Sequence, residues 1–225
     1  MKHTEQEMML IKEDVTHMWQ LVISQLDKAK SAFFHNDVEL AREVISREKR
    51  VDLYELNIES SCEHYIALFN PVAIDLRLML SLMKICRTLE RIGDFAAGIA
   101  LHIVDNDCRT IPVEWYEELH LEQMFDCLQE MLSDCYSALD SESSKLAGKI
   151  LLKDKDVNEI YHKAPRVLSE LLTPAPQHIY CGLKLLLLIR KLERIGDHCS
   201  NIVEEIVFYL DAKVLKHSGT SKTSL

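Results

Sequence analysis

Apolar residues recur at three- and four-residue intervals along almost the whole chain, the spacing of one face of an α-helix. The interruptions coincide with helix breakers: Asn36-Asp37, Asn70-Pro71, the stretch Asp105 to Pro112, Asp140-Ser141, and Thr173-Pro174-Ala175-Pro176. The pattern predicts six helices, over residues 5–35, 38–69, 72–105, 113–139, 142–172 and 177–212. Segments of about 30 residues, at about 1.5 Å each, make rods near 45 Å, which suit an up-and-down bundle with short links. Pro165 lies inside the fifth segment and is expected to kink it or end it early. The residues around His217 to Leu225, rich in Ser and Thr, read as a frayed tail.

An internal repeat organises these rods. Arg87-Thr-Leu-Glu-Arg-Ile-Gly-Asp94 laid over Arg190-Lys-Leu-Glu-Arg-Ile-Gly-Asp197 matches at seven of eight positions, and the same offset of 103 aligns Pro71 with Pro174 and Ile99 with Ile202. With a shift of three residues, Glu48-Lys-Arg-Val-Asp52 answers Asp154-Lys-Asp-Val-Asn158. Helices two and five therefore correspond, as do three and six. The expected fold is all-α: two tandem three-helix bundles related by duplication, at residues 1–107 and 111–212, with a tail at 213–225. Each bundle buries its apolar stripes within itself and against its twin.

Composition narrows the function classes. A chain of 225 residues, 48% hydrophobic, can build a core, while six Gly and five Pro leave too little turn material for a sandwich or barrel. The net charge of −10 disfavours nucleic-acid phosphate and anionic lipid. The opening MKHTEQEMMLIKEDV mixes charged and apolar residues, unlike a secretory signal, and the most apolar run, Leu183 to Ile189, is interrupted by Lys184 and too short to cross a bilayer. A cytosolic protein without membrane insertion is expected. Seven Cys, at 62, 86, 108, 127, 135, 181 and 199, form an odd set with no Cys-x-x-Cys spacing and are expected to be reduced, mostly core-facing thiols.

The repeated motif carries the chemistry. At about 100° per residue, Arg87, Glu90, Arg91 and Asp94 share about 100° of arc opposite the apolar stripe, and Glu48, Asp52, Glu55 and Glu59 form an acidic ridge about 16 Å long on helix two. The short link at Asn70-Pro71 favours helices two and three as neighbours, so that several carboxylates share one patch. Like charges at i, i+4 repel and need compensation. A hard cation such as Fe, Mn, Mg or Zn would supply it; so would Arg87, Arg91, Arg190 and Arg194, in which case the chain is a helical scaffold without metal. Gly93 and Gly196, each inside a helix, are read as sites of close helix approach.

Other residues add less. His64, His102 and His198 are read as hydrogen-bonded structural residues, with His198, next to Asp197, the strongest exception. Met1, Met8, Met9 and Met18 are read as packing filler, and Trp19 and Trp115 as anchors in the core or between bundles. A di-metal carboxylate oxidase is the enzymatic alternative, but that class needs Glu-x-x-His, whereas the two Leu-Glu-Arg-Ile-Gly-Asp helices carry Glu-x-x-x-Asp. No phosphate-cradling Gly-rich loop or nucleophile–base pair is visible, so catalysis is not expected.

Taken together, Pro71-Val-Ala-Ile-Asp-Leu-Arg77, the two Leu-Glu-Arg-Ile-Gly-Asp blocks, Glu48-x-x-x-Asp52 and Asp154-Lys-Asp-Val-Asn158 resemble the PhoU family of phosphate-signalling regulators, over about residues 8–212. The resemblance implies a cytosolic homodimer that meets the inner membrane only through its partners. It also implies multinuclear transition-metal clusters of Fe or Zn, with Mn or Mg as alternatives. By motif position the ligands would be Glu48, Asp52, Glu90 and Asp94 in the first half, and Asp154, Glu193 and Asp197 in the second. Asn158 departs from the pattern, which places Asp there, so a weaker second site is expected. The implied role is negative regulation of the phosphate-starvation response and of phosphate uptake, as an adaptor between the ATPase subunit of the phosphate ABC transporter and a sensor histidine kinase.

Overall fold

The computed structural model describes residues 3–105 and 111–213; Met1, Cys108 and the tail beyond residue 213 lie outside them. Among the described residues six long or medium helices appear, α1 (His3–His35), α2 (Val38–Phe69), α3 (Ala73–Asp105), α5 (Leu121–Asp140), α6 (Ala147–Leu172) and α7 (Ile179–Asp211), with a single-turn helix α4 (Glu114–Glu118) before α5. The breakers act as their chemistry dictates. Asn36 and Asn70 adopt the left-handed conformation, at φ 52° and 45°, that Asn tolerates better than most residues. Asp37 caps α2 by accepting from the Leu40 N–H at 2.9 Å.

Two departures from the sequence pattern have local causes. The fourth segment is split into α4 and α5 because His120 turns left-handed, at φ 52°, a break that no Gly or Pro announces. The split lets Trp115, Leu119 and Leu121 all reach the core, whereas one straight helix would spread them around its axis. Helix α6 runs unbroken past Pro165. Pro165 is on the exposed face, where water can take the carbonyl it leaves unpaired, and buried Ala164 and Leu168 hold the turns on either side.

The repeats pack as antiparallel twins. Ser81 Oγ on α3 donates to the Glu205 carbonyl on α7 at 3.3 Å, and Lys191 Nζ on α7 donates to the Gly98 carbonyl on α3 at 2.7 Å, so the two equivalent helices run in opposite directions. Equivalent α1 and α5 do the same: Gln129 donates to Asp27 at 2.9 Å, Lys12 pairs with Glu142 at 2.7 Å, and Lys30 pairs with Asp126. Phe33, Phe34, Tyr116 and Phe125 interlock at the same seam. One contiguous apolar core therefore spans both repeats, and each outer helix, α2 or α6, is left with a polar face on the outside.

Five thiols, Cys62, Cys86, Cys127, Cys135 and Cys199, are free, and burial pushes the Cys62 thiol up to about 12. Cys181 corrects the expectation of wholly reduced thiols, because it is disulfide-bonded. Pairing depends on which Cβ atoms meet in space, and an odd count without a spacing motif does not reveal that. Among the described residues no helix is long and apolar enough to cross a membrane.

Candidate metal centre

The site begins with a glycine. A Cβ on Gly93 would lie 3.2 Å from Gln25 Oε1 on α1 and 3.4 Å from Val51 Cγ1 on α2, so the missing side chain eases the close approach of α3 to both helices. The second repeat has the same construction, with Gly196 facing Leu128, Val157 and Asp154 at 3.4, 3.4 and 3.0 Å. Both glycines thus do what their position inside the helix foretold. The contact draws the ridge of α2 alongside the acids of α3.

In the first repeat the acids converge. Asp52, Glu90 and Asp94 each place a carboxylate oxygen within 4.8 Å of the other two. Glu48 stands near enough to Asp94 for that residue's charge and hydrogen bonding to act on its carboxyl. Burial, then the charge and hydrogen bond of Asp94, then the charges of Glu55 and Asp52, raise the Glu90 carboxyl to about 7. Glu48 is raised for related reasons, burial first and then the Asp94 charge. Glu59, the far end of the ridge, acts on Cys62 instead of on this group.

The arginines do not neutralise the centre. Arg87 reaches only Glu55, at 3.8 Å and with a largely exposed side chain, and among the described residues no ion pair is made to Asp52, Glu90 or Asp94. A donor set of clustered carboxylates, one holding its proton to near neutrality for want of positive charge, fits a hard or borderline cation. Glu90 must release its proton to ligate.

The second repeat is built on the same backbone with different electrostatics. Asn158 Nδ2 donates to Asp154 Oδ2 at 3.3 Å, placing a neutral donor where the first repeat has Asp52. Arg194 Nη1 donates to Asp197 Oδ2 at 2.9 Å. Glu193 is raised by burial first and by Asp197 and Asp154, against the lowering charges of Arg194 and Arg190. Among the described residues Asp154, Glu193 and Asp197 do not form a three-carboxylate group as close as that of the first repeat.

Neighbouring candidates fall away. His198 is 4% exposed, stacks on Phe95 at 5.7 Å, and has its proton affinity lowered by burial and then by Arg194 and Arg91, so it is a neutral packing residue. Glu159 and His162 on α6 do carry the Glu-x-x-His spacing, but Glu159 is exposed and paired with Lys163. Gln25, fully buried beneath Gly93 and donating to the Val44 carbonyl at 3.3 Å, supports the centre from behind. Its counterpart in the second repeat is Leu128, and nothing in the periodicity marks it.

Comparison with known proteins places this architecture. The PhoU domain model matches twice, at residues 15–103 and 121–206. The chain is 34% identical over 206 residues to the phosphate-specific transport system accessory protein PhoU homolog of Aquifex aeolicus, covering 92% of each chain. It is 33% identical over 219 residues to the Escherichia coli accessory protein PhoU, covering 95% of this chain and 87% of that one. The crystal structure of PhoU from Pseudomonas aeruginosa superposes with a TM-score of 0.87 at 28% identity, over 93% of this chain and 99% of that one. That of the Streptococcus pneumoniae phosphate transport system regulatory protein PhoU gives 0.83 at 27%, over 95% and 100%. Two matched domains, the duplicated Leu-Glu-Arg-Ile-Gly-Asp helices and the same bundle architecture carry one conclusion: this chain belongs to the PhoU family.

Proposed function

We propose that this protein is a negative regulator of phosphate uptake and of the phosphate-starvation response. It acts by contact, as an adaptor between the phosphate ABC transporter's ATPase subunit and its sensor histidine kinase, and it turns over no substrate. The printed names of its relatives, phosphate-specific transport system accessory proteins, support the transporter half of this reading.

The observation that carries the site is the convergence of Asp52, Glu90 and Asp94, with no ion pair to any of the three among the described residues. These three, with Glu48 beside Asp94, hold a transition-metal cluster of Fe or Zn, or Mn or Mg. When bound, the metal supplies the positive charge that lets the acids ionise side by side. Asp52 on α2 and Glu90 and Asp94 on α3 then pin the two helices together, and Glu90 gives up the proton it holds near pH 7. The second repeat, with Asn158 and the Arg194–Asp197 pair, binds more weakly.

Two measurements test the reading. In a deletion strain, phosphate-uptake genes should stay expressed in phosphate-rich medium; normal repression would remove the regulator assignment. Protein purified without chelator should hold stoichiometric transition metal and lose it in the E90Q/D94N double variant with helical content unchanged. Absence of metal, with stability unmoved on adding Fe or Zn, would leave a bare scaffold.

A further inference from the structure

The seam between α3 and α7 carries a feature that the acidic centre does not explain. Where α7 begins, a groove of about 250 Å³ separates it from the end of α3, lined by Gly98, Leu101, His102, Lys184, Leu187 and Lys191, with Asp105 at one end. Its rim is apolar and open to water: Leu101 is 47% exposed, Leu183 and Leu187 are each 56%, and Tyr180 is 54%. Four exposed large side chains in and beside one groove, on a chain with net charge −10, call for a reason.

The duplication shows how the patch arose. At the equivalent place near the other end of the seam, Lys84 forks onto the Glu205 carboxylate at 3.0 and 3.2 Å and covers the Phe208 ring at 5.7 Å. Under the offset of 103, Lys84 corresponds to Leu187 and Glu205 to His102. The ion pair that seals one end is therefore replaced at the other by an exposed leucine and a histidine. Lysines have been placed around that leucine instead, Lys184 and Lys191, where the first repeat has Ser81 and Thr88.

Neither lysine is ion-paired among the described residues. Lys184 rests over the Tyr180 ring at 5.6 Å. Lys191 lies in a notch that exists because residue 98 is glycine: its Nζ is 2.7 Å from the Gly98 carbonyl oxygen and the same distance from where a Cβ would stand. Burial first, and then the Lys184 charge, weaken the hold of Lys191 on its proton, with Asp105 acting the other way. Positive charge is thus fixed in an apolar frame on an acidic protein.

We infer that this groove receives an acidic amphipathic helix of a partner protein. The occupant lays an apolar stripe over Leu101, Leu183 and Leu187 and turns carboxylates toward Lys184 and Lys191. Those lysines are seven residues apart and so about 10 Å apart along α7, the separation of side chains two turns apart on a facing helix. A second copy is a poor occupant, because a two-fold contact lays the same lysine-bearing patch against itself, offers those lysines no facing carboxylate stripe, and joins two chains of charge −10. The inference rests on the contact-based reading above for its biological use, and its own test reads binding instead of repression, so the two can fail separately.

The test uses full-length protein and a fluorescent synthetic helix of about five turns with leucines at i, i+3/i+4 spacing and glutamates on the flanks, against a control with those glutamates changed to lysine. Anisotropy should show the acidic helix binding at least about tenfold tighter than the basic one, with affinity falling as salt rises. K184E/K191E, in which Lys191 also loses its hydrogen bond to Gly98, and L183E/L187E, at exposed positions, should each weaken binding by about tenfold or more, the leucine pair with circular dichroism unchanged, while K84A at the sealed end should not. Equal binding of the two helices, no binding of either, or indifference to K184E/K191E overturns the inference. Sedimentation showing that L183E/L187E turns a dimer into a monomer overturns it also, and assigns the face to a second copy.

Discussion

Trp19 on α1 donates its indole Nε1–H to the Leu132 carbonyl on α5 across 3.2 Å, tying the two repeats together through a side chain with no exposed surface. The ring also meets Tyr136 edge-on at 5.7 Å. The Leu132 oxygen lies within α5 and keeps its helical partner when the indole is removed, so no orphaned acceptor results. W19F should therefore cost roughly 1–3 kcal/mol, from one hydrogen bond and a partial cavity, and W19A about 3–5 kcal/mol. Urea unfolding followed by circular dichroism measures both. A single transition in each variant is expected, because the shared core makes the repeats one cooperative unit.

Glycines separate packing from propensity. At Gly196 an added Cβ meets Asp154 Oδ1 at 3.0 Å and the Leu128 and Val157 methyls at 3.4 Å, so G196A crowds the Asp154 carboxylate and presses on side chains of α5 and α6. The overpacking costs about 1–3 kcal/mol against about 1 kcal/mol gained in helix propensity, leaving the variant less stable. At Gly148 nothing lies within 4 Å, and G148A should stabilise by up to about 1 kcal/mol. Thermal melts of the two variants should therefore move in opposite directions.

How far these features were legible follows from the kind of constraint behind each. The rods were readable because one apolar stripe per helix faces one core, and the breaks at Asn36 and Asn70 because their residues suit a left-handed turn. The close approach at Gly93 and Gly196 was readable because glycine inside a helix is costly unless something presses on it. His120 was not, since its left-handed turn is imposed by Trp115, Leu119 and Leu121 seeking one core. The ridge of four acids was visible on helix two, but only the structure shows that Glu59 stands apart and that Arg194 pairs with Asp197 while Arg91 leaves Asp94 alone. Equivalent arginines in a repeated motif look alike in sequence; the side chains around them decide where each points.

Glu90 makes the metal-free protein sensitive to pH. Its folded carboxyl titrates at about 7, above the ordinary value of 4.5, because burial and then Asp94 disfavour its charge. Between those values the folded chain holds a proton that the unfolded chain has released. The contribution is present in full below pH 4.5 and is lost as pH rises through about 7. Chelated protein should thus lose stability as pH rises from 4.5 to 7, and E90Q should flatten that slope. With Fe or Zn added the slope should reverse in the wild type, since ligation requires the deprotonated acid. Denaturation midpoints across this window check both. An unchanged slope in E90Q would move the titration to another group.

Asn158 allows the centre of the first repeat to be rebuilt in the second. Asn158 occupies the place that Asp52 holds in the first repeat, and its amide donates to Asp154 at 3.3 Å. N158D exchanges that donor for a second carboxylate beside Asp154, near Glu193, whose charge is already disfavoured by burial and by Asp197. Without metal the change should destabilise, by repulsion among acids that Arg190 and Arg194 offset in part. With metal the added anionic ligand should raise second-half affinity by roughly tenfold or more, equivalent to about 1.4 kcal/mol. Combining N158D with R194A, which releases Asp197 from its 2.9 Å pair, should raise it further. Metal titrations in an E90Q/D94N background isolate the second half, because the first is disabled there. Failure of both changes to increase binding would mean that the spacing of α6 and α7, set by Gly196, governs the site more than its charge does.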